Sequence, residues 1–143
     1  MEKNNNVFIK DFPQWTGRIV TPVQVSDLGR QHSFSGTALW DTGAEISVIS
    51  DCVAKACRLQ DFITGNRIQH FEDEREVKLG VVLVFPGDIR KFIPLSVAVL
   101  DGANRDVDVI LGMDIIGRGD FSLTRKGDIL QMKFVFGDKF IDA

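Results

Sequence analysis

The chain has only two cysteines, Cys52 and Cys57. They lie on one short segment, a spacing that suits neither a disulfide nor a zinc knuckle, so both read as small buried residues. No apolar run approaches the roughly 18 residues of a membrane span, which excludes a membrane-spanning helix from the expected structure. The opening residues, Met1 to Asn6, are polar and lack the apolar stretch of a secretory signal. They are expected to form a flexible polar start, and a cytoplasmic location follows as the default. Positive charge is not in excess: the formal net charge is −3 and the pI is near 5.3, which argues against nucleic acid as a partner. No linker, low-complexity tract or tandem repeat divides the chain, so residues 1–143 read as one domain.

What is present is a soluble globular composition, 44 % hydrophobic and 26 % charged, in a chain long enough to bury a core. Period-2 alternation dominates. Ile19, Thr21, Val23 and Val25 fall on one face of a strand, and Phe34, Gly36, Ala38 and Trp40 on one face of another. Ile93, Leu95, Val97 and Val99 form a third such set, and Leu130, Met132, Phe134 and Phe136 a fourth. The continuous run from Val81 to Phe85 suits a strand covered on both faces. Turns are expected at Pro86-Gly87-Asp88, Asp101 to Asn104 and Lys126-Gly127-Asp128. Helix signals are few: Ser50 can cap a short helix from Asp51 to Arg58, and one turn can follow Gly112 from Met113 to Ile116. The expectation is a mainly-β barrel or sandwich with one or two short helices.

The chemistry concentrates in Leu39-Trp40-Asp41-Thr42-Gly43-Ala44-Glu45-Ile46-Ser47. Asp41 stands where a strand stops, on a tight polar turn. Gly43 there permits a close approach that a side chain would block, and turn N–H groups can place a carboxylate and control its ionisation. One carboxylate alone is poorly equipped for acid–base hydrolysis. Two held together share a proton, so that the ionised one activates water while the other donates to a carbonyl oxygen.

The segment Leu39 to Ala44 resembles the apolar-apolar-Asp-Thr-Gly-Ala motif of aspartic proteases, and Ile110-Leu111-Gly112 resembles their second motif. Asp-Thr-Gly alone is a common turn; the two motifs together are specific. The resemblance is to the single-domain retroviral-type enzymes, and most of all to bacterial relatives with a signature like Leu111-Gly112-Met113-Asp114. It implies a closed acid-protease β-barrel with one lobe per chain, and an aspartic endopeptidase acting on peptide or protein substrates without metal or organic cofactor. Only one Asp-Thr-Gly is present, so the resemblance implies a homodimer with one Asp41 from each copy. It assigns Asp41 as catalytic, Thr42, Gly43 and Gly112 as its support, and Gly43 and Ala44 as substrate contacts. Thr42 of each copy would hydrogen-bond across to the other loop.

Three features sit less simply with the pattern. A flap is expected between the motifs, within Thr64 to Gly80, with Gln69, His70, Phe71 and Glu72 as candidates. No glycine occurs from Asn66 to Leu79, and a solvated hairpin tip explains the charges there as well as substrate selection does. The second motif has a rival register at Ile115-Ile116-Gly117-Arg118, in which Arg118 would buttress Glu45. Finally, the apolar segment from Ile129 to Phe136, with Phe140 and Ile141, is either a dimer sheet or an ordinary core strand. The alternative function is a catalytically silent module that keeps the fold and binds peptide or serves as a scaffold.

Overall fold

The computed structural model describes residues 6–59, 79–98 and 106–143. Its elements run β1 (Val7–Phe12), β2 (Ile19–Ser26), β3 (Ser33–Trp40), β4 (Val48–Ser50), α1 (Asp51–Ala56), β5 (Leu79–Phe85), β6 (Ile89–Ala98), β7 (Val109–Leu111), α2 (Met113–Ile116), β8 (Asp120–Lys126), β9 (Ile129–Val135) and β10 (Ile141–Asp142). The order β6-β4-β7-β3-β2-β5 is closed by pairing of β5 with β6, which makes a six-strand barrel. β10 adds to β6 outside that ring, and β1, β9 and β8 form a separate three-stranded sheet. Closure removes most of the exposed edges that strands would otherwise present.

The alternation in the sequence sets what faces inward. Ile19, Thr21, Val23 and Val25 are all buried, as are Ala38 and Trp40 of β3. Leu39 is buried as well, because the outer side of β3 is covered by a second apolar cluster with Val107 and Ile110. The last turn of β3 is therefore held on both faces just before Asp41. An aromatic cluster joins the small sheet to the barrel: Trp40 lies 5.1 Å from Phe134 and 5.9 Å from both Phe85 and Phe121 between ring centroids. The Trp40 indole N–H donates to Thr21 Oγ1 at 2.9 Å, so its one polar atom is satisfied inside the core.

Helix α1 is capped as expected: the Ser50 hydroxyl accepts from the Val53 N–H, with Asp51 in the first turn and Lys55 in the last. Cys57 is buried after the helix, but Cys52 is exposed. That corrects the expectation of two buried cysteines, because α1 covers the barrel with Val53 and Ala54 and turns Cys52 to solvent. Asn6 is tied to the fold. The Asn6 carbonyl accepts from the Phe136 N–H at 2.7 Å. Its side chain accepts from buried Lys91 at 2.7 Å, and Lys91 also reaches the Asp142 carboxylate. One buried ammonium thus ties both ends of the described chain to β6. Strand β9 is the middle strand of its sheet, with β1 on one side and β8 on the other, and its Met132 and Phe134 are fully buried. This favours the core-strand reading of that segment.

The β2–β3 connection carries a buried carboxylate. Asp27 Oδ1 accepts from the N–H groups of Gln31 at 2.8 Å and His32 at 3.1 Å, and Oδ2 lies 3.2 Å from His32 Nδ1. The His32 N–H, aided by its ring and by Gln31, holds the Asp27 carboxyl below the usual carboxylate range against the opposing effect of burial. A lowered native pKa means that this stabilisation is fully present above the ordinary Asp value, about 3.9, and is lost as pH falls through the native value. Asp27→Asn is therefore expected to lower stability by a constant amount above about pH 5, with the gap to wild type closing below about pH 4. Urea unfolding across that range checks it.

Candidate active site

Strand β3 and strand β7 run parallel, with Trp40 opposite Leu111. The pairing continues one step past the strand end: the Asp41 N–H donates to the Leu111 carbonyl at 2.9 Å. The chain then turns sharply. The Ala44 N–H donates back to the Asp41 carbonyl at 3.1 Å, and the Gly43 N–H donates to Asp41 Oδ1 at 2.9 Å. This is an Asx turn closed by a backbone turn, and it aims one carboxylate oxygen at its own loop. Asp41 and Ala44 are half-buried, whereas Thr42 and Gly43 are exposed. In front of the loop lies a depression of about 300 Å³ lined by Gly17, Arg18, Ile19, Leu39, Trp40, Asp41 and Thr42. Arg18, on its rim, makes a two-point ion pair with Asp106 at 3.0 and 3.2 Å.

The far side of the loop is clamped by residues 111–114. Gly112 is buried, and its N–H donates to Ser47 Oγ at 2.8 Å. The Ser47 hydroxyl donates to Asp114 Oδ1 at 2.6 Å while its N–H donates to Asp114 Oδ2 at 3.1 Å. The Met113 N–H donates to the Ala44 carbonyl at 2.7 Å, and the Asp114 N–H to the Glu45 carbonyl at 3.2 Å. A Cβ on Gly112 would sit 2.6 Å from the Ala44 oxygen, so only glycine fits there. Gly117 has a different place: it is exposed, ends α2, and a Cβ on it would meet the Met113 carbonyl of the same turn. Arg118 is exposed and lines a separate pocket with Ile115 and Phe140.

The structure thus brings Asp41, Thr42, Gly43, Ala44 and Gly112 into one loop and its support. Gln69, His70, Phe71 and Glu72 lie outside the described residues. Ser47 and Asp114 hold the loop; Asp114 closes the Leu111-Gly112-Met113-Asp114 signature, but the sequence gives neither residue a role. The usable signal was a hydroxyl and a carboxylate, one after each motif, whose donors and acceptors match. Ser47→Ala removes the acceptor for the buried Gly112 N–H and the donor to Asp114, an expected loss of about 2 kcal/mol, readable by urea unfolding. Among the described residues no cluster of three or more His, Cys, Asp or Glu could hold a metal. Among them, too, no helix is long and apolar enough to cross a membrane.

A scan against protein-family models finds no match, and a search of curated proteins finds no significant one. Solved structures do match. A crystal structure of a retropepsin-like aspartic protease from Rickettsia conorii superposes with a TM-score of 0.50 at 15 % identity, covering 96 % of this chain and 100 % of that one. The retroviral protease-like domain of Ddi1 from Leishmania major gives a TM-score of 0.44 at 17 % identity, over 78 % of this chain and 90 % of that one. At 15 % identity the first likeness is one of fold, and the fold of this chain is that of the retropepsin-like aspartic proteases.

Proposed function

We propose that the protein is an aspartic endopeptidase that works as a homodimer, with the two Asp41 carboxylates forming the catalytic pair. The observation that carries this reading is the loop itself. Asp41 ends a strand buried on both faces, sits in an Asx turn, and is fixed from behind by Gly112, Ser47 and Asp114. Such over-determined placement is what acid–base chemistry needs, since a reacting group must be held within a fraction of an ångström. Two such loops facing across a twofold axis cannot both ionise cheaply, so the pair shares one proton. The ionised Asp41 takes a proton from a water that attacks the peptide carbonyl. The protonated one donates to the carbonyl oxygen, and proton return to the leaving amine completes cleavage. Gly43 and Ala44 contact the substrate backbone, Thr42 bridges to the other loop, and neither metal nor organic cofactor takes part.

The catalytically silent module is the second reading. Trp40 beside Asp41 gives it no support, because its ring is buried and packed among Phe8, Phe121 and Phe134. What favours it is the absence of glycine from residues 66–79, where the flap is expected. A peptide-library digest at mildly acidic pH separates the readings. Cleavage by the wild type and none by Asp41→Asn supports the peptidase. Cleavage that survives Asp41→Asn rejects the mechanism, and peptide binding without cleavage at any pH favours the module.

A further inference from the structure

Strand β6 is paired along one whole edge by β5, from Phe85 opposite Ile89 to Leu79 opposite Leu95. Its other edge is paired in two pieces. β10 covers Lys91 and Phe92, β4 covers Ser96 to Ala98, and among the described residues no strand lies beside the stretch between them. The Ala143 N–H donates to the Arg90 carbonyl at 3.0 Å and the Ser96 N–H to the Ser47 carbonyl at 3.3 Å, so the even-numbered residues of β6 turn their backbone groups to this edge. In the gap that residue is Pro94. A proline has no N–H to leave unpaired there, and its carbonyl is turned to the gap. A longer β4 would spend the Ser47 N–H on that carbonyl, but Asp114 Oδ2 accepts it instead at 3.1 Å. The gap opens into a cavity of about 240 Å³. Buried Ile115 and Phe140 line it with half-buried Phe92, and Ile141, 67 % exposed, lies where it meets solvent.

Two cations share the rim of this cavity. A Cβ on Gly137 would lie 2.7 Å from the Arg118 carbonyl oxygen, so the turn that the Phe140 N–H closes on the Gly137 carbonyl at 3.3 Å rests against the chain leaving α2. That contact brings Lys139 and Arg118 to the same cavity. Both are exposed, and among the described residues no acid pairs with either. The acid in the lining, Asp114, turns both oxygens to Ser47. We propose that this cavity binds the C-terminal residue of a peptide. An apolar side chain fills it, the carboxylate meets Arg118 and Lys139, and the N–H of the same residue donates to the Pro94 carbonyl. Apolar walls, rim cations and an open strand-edge acceptor are the three parts such recognition uses. The volume is the liquid share of about eight waters, room for a leucine side chain with its Cα and carboxylate. A bare phosphate would leave the walls unfilled, and an apolar amine would meet two like charges. The cavity shares no lining residue with the depression before Asp41, so it is a second peptide site, independent of whether Asp41 cleaves.

The test titrates N-acetyl-leucine into the full chain and follows methyl and amide NMR signals. The Ile115 and Ile141 methyls should shift along one saturable curve while the Gly43 amide stays in place. N-acetyl-leucinamide, which lacks the charge, should bind about tenfold more weakly. Isocaproate keeps the acid and the apolar body but has no N–H, and should bind about fivefold more weakly. Arg118→Gln and Lys139→Gln should each weaken N-acetyl-leucine about fivefold, the order for a partly exposed charged hydrogen bond. Both residues are exposed, so unchanged urea midpoints should accompany the loss. No saturable shift at Ile115 and Ile141, or equal binding of acid and amide, overturns the site. Shifts at the Gly43 amide that persist in both charge variants place the ligand before Asp41 and overturn it as well. If isocaproate binds as tightly as N-acetyl-leucine, the Pro94 contact falls, and with it the assignment to peptide ends.

Discussion

Asp41→Asn is expected to lower kcat/KM for any cleaved peptide by about 10⁴-fold or more, the upper end of what a positioned acid–base group supplies. That corresponds to about 5.5 kcal/mol of lost transition-state stabilisation. The change keeps the size of the side chain, and the amide oxygen can still accept from the Gly43 N–H, as Oδ1 does at 2.9 Å. The loop should therefore survive while its chemistry does not: an amide neither ionises to activate water nor donates as a carboxylic acid does. The stronger form of the experiment mixes chains. If wild-type and Asp41→Asn chains are unfolded together in equal amounts and refolded, about a quarter of the dimers carry two Asp41 residues, by random pairing of identical interfaces. Activity should drop to that quarter, with the doubly substituted and mixed dimers silent. A chain that cleaves as a monomer would retain half. The quadratic against the linear dependence on wild-type fraction decides whether one Asp41 or two make the site.

The strands that were legible in the sequence are those long enough to show a period. β2 and β3 carry four inward positions at spacing two, and the second of them leads into Asp41. β4 and β7 have three residues each, too few for alternation to register. They exist as strands because β7 is laid parallel to β3 and β4 antiparallel to β7, contacts between segments far apart in the chain. β1 hid for a related reason: it is a strand by pairing with β9, whose residues lie near the opposite end of the chain. The motif at Asp41 could be read because its chemistry is local. The Ser47–Asp114 clamp could not: Asp114 completes a recognisable signature, but nothing local pairs it with Ser47, 67 residues earlier. Only the fold brings the Ser47 hydroxyl between the Gly112 N–H and the Asp114 carboxylate. The apolar segment from Ile129 to Phe136 shows the limit of composition. A dimer sheet and a core strand require the same residues, and what separates them here is that β9 already has a neighbour on each side.

Gly112→Ala is the substitution that should damage the scaffold of the site most, for geometric reasons. An added Cβ would lie 2.6 Å from the Ala44 carbonyl oxygen and 3.1 Å from the carbonyl carbons of Ala44 and Ile46. All three are backbone atoms of the loop that presents Asp41, so no side chain can swing away to make room. That same Ala44 oxygen accepts from the Met113 N–H at 2.7 Å, and relieving the clash must lengthen or break this bond. The expected cost is about 3 kcal/mol, the upper end for overpacking a tight interior, or a fall in Tm of roughly 10 °C for a chain of this size. At temperatures where the variant remains folded, displacement of the loop should still cost about 100-fold in kcat/KM, the order expected for misplacing a reacting group by an ångström. Gly117→Ala is the discriminating control. Its Cβ would press on the Met113 carbonyl, 2.8 Å away, but Gly117 is exposed at the end of α2. That helix end can open without moving Asp41, so some stability is lost while kcat/KM per folded molecule stays near wild type. The reverse pattern, with Gly112→Ala tolerated and Gly117→Ala inactive, would place the functional second motif at Ile115-Ile116-Gly117 and leave the clamp around Ser47 as scaffold alone.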